Sequence, residues 1–177
     1  MVDRIVRVVR LDWTVFREIA KDPNAMSQAA IIVVVVTFLN AIGSGLAADS
    51  FFLGFVMSWI LEILIGWILW AVITYFVGTA LFKGKTNIVE MMRVLGYAQA
   101  PVLLGLLQFI PCVGWIFPLI GWILSLIAGF IAIREAMEFG TGDAIVTVLI
   151  SWVVARVINL IIFVPVAGVS LFAGFGG

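Results

Sequence analysis

Apolar residues in this chain come in long runs separated by short polar breaks, with little of the strict alternation that marks strands. A helix needs about 20 residues to cross about 30 Å of hydrocarbon. Runs of roughly that length occur at 26–47, 51–81, 94–111, 114–137 and 143–165. The breaks have chemical causes. Asp22-Pro23 reads as an N-cap with Pro at the first helical position, and Pro111 and Pro165 are expected to end the third and fifth helices. In Gly140-Thr141-Gly142-Asp143 the glycines are expected to stop one helix and Asp143 to cap the next.

Ahead of the first run the pattern takes a helical period. Plotted at about 100° per residue, Val2, Ile5, Val6, Val8, Val9, Trp13, Phe16 and Ile19 occupy one side of residues 2–21. Arg4, Arg7, Arg10, Arg17, Glu18 and Lys21 occupy the other, and Leu11 and Asp12 fit neither. Such a helix lies in the inner interface against anionic lipid, or packs beneath the bundle; both readings bury the same face. The expected fold is therefore all-α and integral to a membrane: a five-transmembrane-helix bundle (26–177) preceded by an N-terminal amphipathic interfacial helix and linker (1–25).

Composition agrees with that class, since 64% of the 177 residues are hydrophobic and the mean hydropathy is +1.27. Residues 1–25 are too charged for a cleaved signal peptide, so the mature chain is expected to start near Met1. Ten basic and ten acidic residues cancel, which gives nucleic acid no general attraction. With no His and Cys112 as the single cysteine, neither a disulfide framework nor the usual imidazole or thiolate metal site is expected, and no cofactor is implied.

The cations then set the sidedness. Arg4, Arg7, Arg10, Arg17 and Lys21 precede the first run, Lys83, Lys85 and Arg93 lie between the second and third, and Arg134 lies between the fourth and fifth. The opposite breaks have none, which predicts a cytoplasmic N-terminus and an outside C-terminus. Arg4, Arg7, Arg10, Arg17, Lys83 and Lys85 are the candidate contacts for anionic headgroups at the inner face.

Two charges remain inside the runs, Glu62 and Arg156. Counting about 1.5 Å per residue places both near the midplane, with Asn40, Gln108, Ser125 and Asn159 at similar depth. Small residues recur at helical spacing beside them: Gly54, Ser58 and Gly66 on the second run, and Gly121, Ser125 and Gly129 on the fourth. Such faces pack against helices rather than lipid. The candidate polar network is thus Glu62, Arg156, Asn159, Asn40 and Gln108, with Glu62 pairing with Arg156. It either fixes helix register or also lines a cavity for an ion, proton or small ligand, and only the second role needs water.

No enzyme is expected. Without His there is no Ser-His relay and no H-E-x-x-H zinc site. Gly140-Thr141-Gly142-Asp143 matches a GxGD aspartyl-protease pattern, but the other aspartates, Asp3, Asp12, Asp22 and Asp49, lie in the N-terminal segment or a loop tip. The same connector lacks the spacing and Lys of a phosphate-binding loop. Trp59, Trp67, Trp70, Trp115 and Trp122 cluster on the second and fourth runs, where self-association is an alternative to lipid contact.

Three segments carry a family resemblance: Phe82-Lys83-Gly84-Lys85; Arg93, Leu95 to Ala98, Ala100 and Pro101; and the Arg134 to Ile145 connector. In this order and spacing, over roughly residues 25–165, the chain resembles the Yip1 domain family, as a compact prokaryotic-type member. The resemblance implies five spans, a cytosolic N-terminus and a role in membrane trafficking or organisation, with Rab GTPases as partners of the eukaryotic members. A cytosolic segment of only about 25 residues before the first span leaves little room for Rab binding. The expected role is a scaffold that organises or shapes membrane or holds membrane partners. The alternative is a small-solute, ion or proton pathway around Glu62 and Arg156.

Overall fold

Helix is the only regular structure among the described residues of the computed structural model, which covers the backbone of 1–47, 50–111 and 113–174. Side chains at 43, 44, 47, 109, 156 and 159–174 lie outside that description. Two short helices, α1 (Val2–Val9) and α2 (Trp13–Lys21), lead into α3 (Ala25–Ala47). A long α4 (Phe51–Phe82) follows, then α5 (Ile88–Ala98) with a 3₁₀ extension (Ala100–Phe109), α6 (Ile116–Met137) and α7 (Thr141–Gly174). Among the described residues, α3, α4 and α6 are each long and apolar enough to cross a membrane.

The long elements run alternately up and down. The end of α4 meets the end of α6: the Lys85 backbone N–H donates to the Met137 carbonyl at 3.2 Å, and Phe82 and Phe139 pack edge to face at 5.8 Å. One hydrophobic core runs through both the N-terminal helices and the bundle. Val8, Val15, Phe16 and Ile19 are fully buried in it together with Met91, Tyr97, Ile133 and Met137. Most of the apolar stripe of residues 2–21 thus packs on the protein, while Val2, Val6 and Trp13 stay exposed.

Several expected boundaries fall elsewhere, each for a local reason. Residues 2–21 form two helices, because Leu11 turns left-handed (φ 58°) and the Asp12 carboxylate caps α2 by accepting from the Thr14 N–H at 3.0 Å. The helix expected from residue 94 starts at Ile88, where Asn87 and Glu90 form a reciprocal capping box. Pro101 has no N–H to continue an α-helix, and the chain winds on as a tighter 3₁₀ helix. At about 1.5 and 2.0 Å per residue the two parts together reach about 36 Å, enough for hydrocarbon.

Pro111 acts as expected, with Ile110 extended before it (ψ 120°) and the helix closed at Phe109. Pro165 does not end α7, which continues to Gly174; proline removes one N–H, a loss that apolar helices tolerate. At the α6–α7 connector it is Glu138 (φ 57°), not a glycine, that turns left-handed, with the Phe139 N–H closing on the Arg134 carbonyl at 3.0 Å. Helix α7 therefore opens at Thr141 and places Asp143 in its first turn rather than at the cap.

Candidate functional site

Among the described side chains, the midplane layer joins Glu62 to Asn40. Between Glu62 and Leu69 the middle of α4 takes a wide π-type winding, a rare geometry often found where function sits. Half-buried Glu62 opens that segment, and the Asn40 amide of α3 donates to its Oε2 at 3.5 Å. Ser125 turns elsewhere, donating to the Ala98 carbonyl at 2.8 Å. Gln108 shares with Asn40 a mainly apolar cleft of about 630 Å³ between α3, the 3₁₀ helix and α6, which Glu62 does not line. The side chains of Arg156 and Asn159, and with them the Glu62–Arg156 pairing, lie outside the described residues.

The small residues separate into two kinds. A Cβ on Gly121 would stand 2.6 Å from the Pro101 carbonyl oxygen, so α6 approaches the 3₁₀ helix at backbone distance there. At Gly66 and Gly129 a Cβ would meet nothing within 4 Å, and both border a cleft of about 200 Å³ between α4, α5, α6 and α7. Ser58 bonds back to the Gly54 carbonyl at 2.7 Å, inside its own helix. Gly96 brings α5 close to α3, since a Cβ there would lie 2.9 Å from that of Ala29.

The richest constellation sits at the end of the bundle that carries α2. All three motif segments meet there. Gly78 and Gly84 give room to Met137 and Phe139, and Lys85 lies 3.7 Å from Glu138. Arg93 Nη1 donates to the Ala20 carbonyl at 2.8 Å, Tyr97 donates to the Gln28 side chain, and Trp67 Nε1 donates to the Met92 carbonyl at 3.0 Å. Buried Glu135 receives Arg17 Nη2 at 2.7 Å and Arg134 Nη2 at 2.8 Å. Sequence reasoning places Gly96 and Glu135 inside the Leu95–Ala98 and Arg134–Ile145 segments but gives neither a role of its own.

The candidate headgroup cations are not equivalent. Arg4 reaches Asp22 at 2.7 Å and Glu18 at 3.0 Å, and Arg7 reaches Asp12 and Glu18, each at 2.9 Å. These pairs hold α1 against α2. Hydrogen bonds from Arg7 and then Arg4 keep the Glu18 carboxyl below its ordinary range, and Arg4 does the same for Asp22. Arg17 is tied to Glu135 and stacks over Trp13 at 5.5 Å. Arg10 and Lys83 are exposed, and Lys85 stays largely in the open beside Glu138.

A chain whose described regular structure is all helix, with three helices long and apolar enough to cross a membrane, fits an integral membrane protein. The model of the Yip1 domain matches residues 14–174, so the chain belongs to the Yip1 domain family, membrane proteins of the trafficking type. No curated protein and no solved structure matches it.

Proposed function

We propose that this protein is a non-enzymatic, five-span scaffold that organises or shapes the membrane it occupies, with a cytoplasmic N-terminus and an outside C-terminus, in a prokaryotic cell membrane. One observation carries the reading: the family's motif residues are engaged in fixing helix ends to one another. Gly84 makes room for Phe139, the Lys85 N–H closes on the Met137 carbonyl, Arg93 closes on the Ala20 carbonyl, and Tyr97 ties its helix to Gln28. What such a motif preserves is a shape. Val2, Val6 and Trp13 on the outside of the α1–α2 hairpin extend that shape into the interface, where anionic headgroups are the partner and a second copy is a further one.

A pathway is the second reading, supported by the half-buried Glu62 at the start of the π-wound segment. Reconstitution separates the two. Liposomes with increasing protein are imaged for diameter and assayed for proton and ion flux, with the unaltered chain and with Glu62→Gln checked for folding. A scaffold narrows the diameters in proportion to protein and passes no ions. Flux that vanishes in a folded Glu62→Gln variant, with diameters unchanged, overturns the scaffold in favour of the pathway.

A further inference from the structure

Between α2 and the α6–α7 connector lies a polar cleft of about 390 Å³ lined by Arg17, Lys21, Arg134, Glu135, Glu138 and Phe139. Its charges do not cancel. Glu135 is 7% exposed and already receives both guanidinium groups, Arg17 through Nη2 and Arg134 through Nε and Nη2. Glu138 faces Lys85 at 3.7 Å, and Lys21 has no carboxylate partner among the described residues. The lining thus carries three cations against two carboxylates, of which Glu135 is already held by two arginines.

The donors that remain are matched to one kind of ligand. Arg17 keeps Nε and Nη1 undonated, Arg134 keeps Nη1, and Lys21 keeps its whole ammonium group. Planar guanidinium forks beside a compact ammonium suit tetrahedral oxyanions, and crowded like charge in a cleft is relieved by an anion. Glu135 holds the two arginines from a buried position, and both of them line the open cleft together with Lys21. Trp13, beneath Arg17 and 48% exposed, is the residue type that settles at headgroup level.

We propose that this cleft binds a phosphate group, held by Lys21, Arg17 and Arg134, with Glu135 as the positioning carboxylate. Two sources carry that chemistry, an anionic phospholipid headgroup and free phosphate. The site rests on the proposed membrane placement only for the headgroup source, and a failure of liposome shaping leaves it untouched.

The test is lipid retention by native mass spectrometry, on protein purified in detergent and relipidated with phosphatidylcholine alone or mixed with phosphatidylglycerol. Retained phosphatidylglycerol is expected to fall about tenfold in Lys21→Gln and in Arg17→Gln. Lys83→Gln, a candidate headgroup cation outside the cleft, is expected to lose clearly less than either cleft variant, and melting temperatures confirm that all three variants fold. Inorganic phosphate is titrated as competitor: displacement or direct binding that depends on Lys21 assigns free phosphate, and retention it does not displace assigns the headgroup. An equal loss in Lys83→Gln, or no preference for phosphatidylglycerol together with no phosphate binding, overturns the site.

Discussion

Gly121 and Gly129 share one face of α6 with Ser125 between them, and their sequence surroundings treat them alike. The packing does not. Alanine at 121 drives a methyl to 2.6 Å from a backbone carbonyl, which can move only if the 3₁₀ helix moves with it. Alanine at 129 meets open space and removes the entropy that glycine loses in a helix. Gly121→Ala is therefore expected to destabilise by about 1–3 kcal/mol, and Gly129→Ala to be neutral or stabilising by up to about 1 kcal/mol. Thermal unfolding in one detergent checks the pair; equal shifts would contradict the close approach at Pro101. Spacing identified the small-residue face, but which glycine touches backbone depends on where the neighbouring chain changes its winding, and only Pro101 hinted at that.

At the scale of an element, the α1–α2 hairpin shows what periodicity hides. A wheel places Val8, Phe16 and Ile19 correctly but misses buried Val15 and assigns exposed Val2, Val6 and Trp13 to the buried side. A continuous helix would keep Glu18 far along its axis from Arg4 and Arg7. The break at Leu11-Asp12 folds α1 back so that Arg4 and Arg7 reach Glu18. The two residues that fitted neither face were the visible trace of that break. Glu18, Asp12 and Asp22 all have carboxyl groups held below their ordinary values: by Arg7 and then Arg4 at Glu18, by the Thr14 hydroxyl and then Arg7 at Asp12, and by Arg4 and then the Asn24 N–H at Asp22. The stability they supply is complete above an unfolded carboxyl value of about 4 and is lost as pH falls through the lower folded values. Below about pH 4 the hairpin is expected to loosen before the bundle does, seen as proteolytic cleavage between residues 10 and 24 while helical circular dichroism persists. Asp12→Ala removes both the α2 cap and the Arg7 contact, and should move that loosening to higher pH. Coincident loss of hairpin and bundle would show that the pairs do not act locally.

For the whole molecule, the long apolar runs between residues 26 and 165 announce a membrane protein, and the up-and-down order of the long elements follows from short connections. Which end faces the cytoplasm is written only in the distribution of Lys and Arg, a signal read during insertion and leaving no imprint on helix packing. The packing nevertheless agrees with one consequence of it. The basic residues Arg17, Lys85, Arg93 and Arg134 converge on the α2 end, where Glu135, Glu138 and the Ala20 carbonyl receive them. Single-cysteine variants in a Cys112→Ser background test the orientation directly. Val113→Cys, at an exposed position of the opposite end, is expected to react with a membrane-impermeant maleimide in intact cells. Lys85→Cys, beside Glu138, is expected to react only after the membrane is permeabilised. The reverse pattern would place the motif segments and the phosphate cleft outside, and the short cytosolic face would then be the one with no basic residues to hold it there.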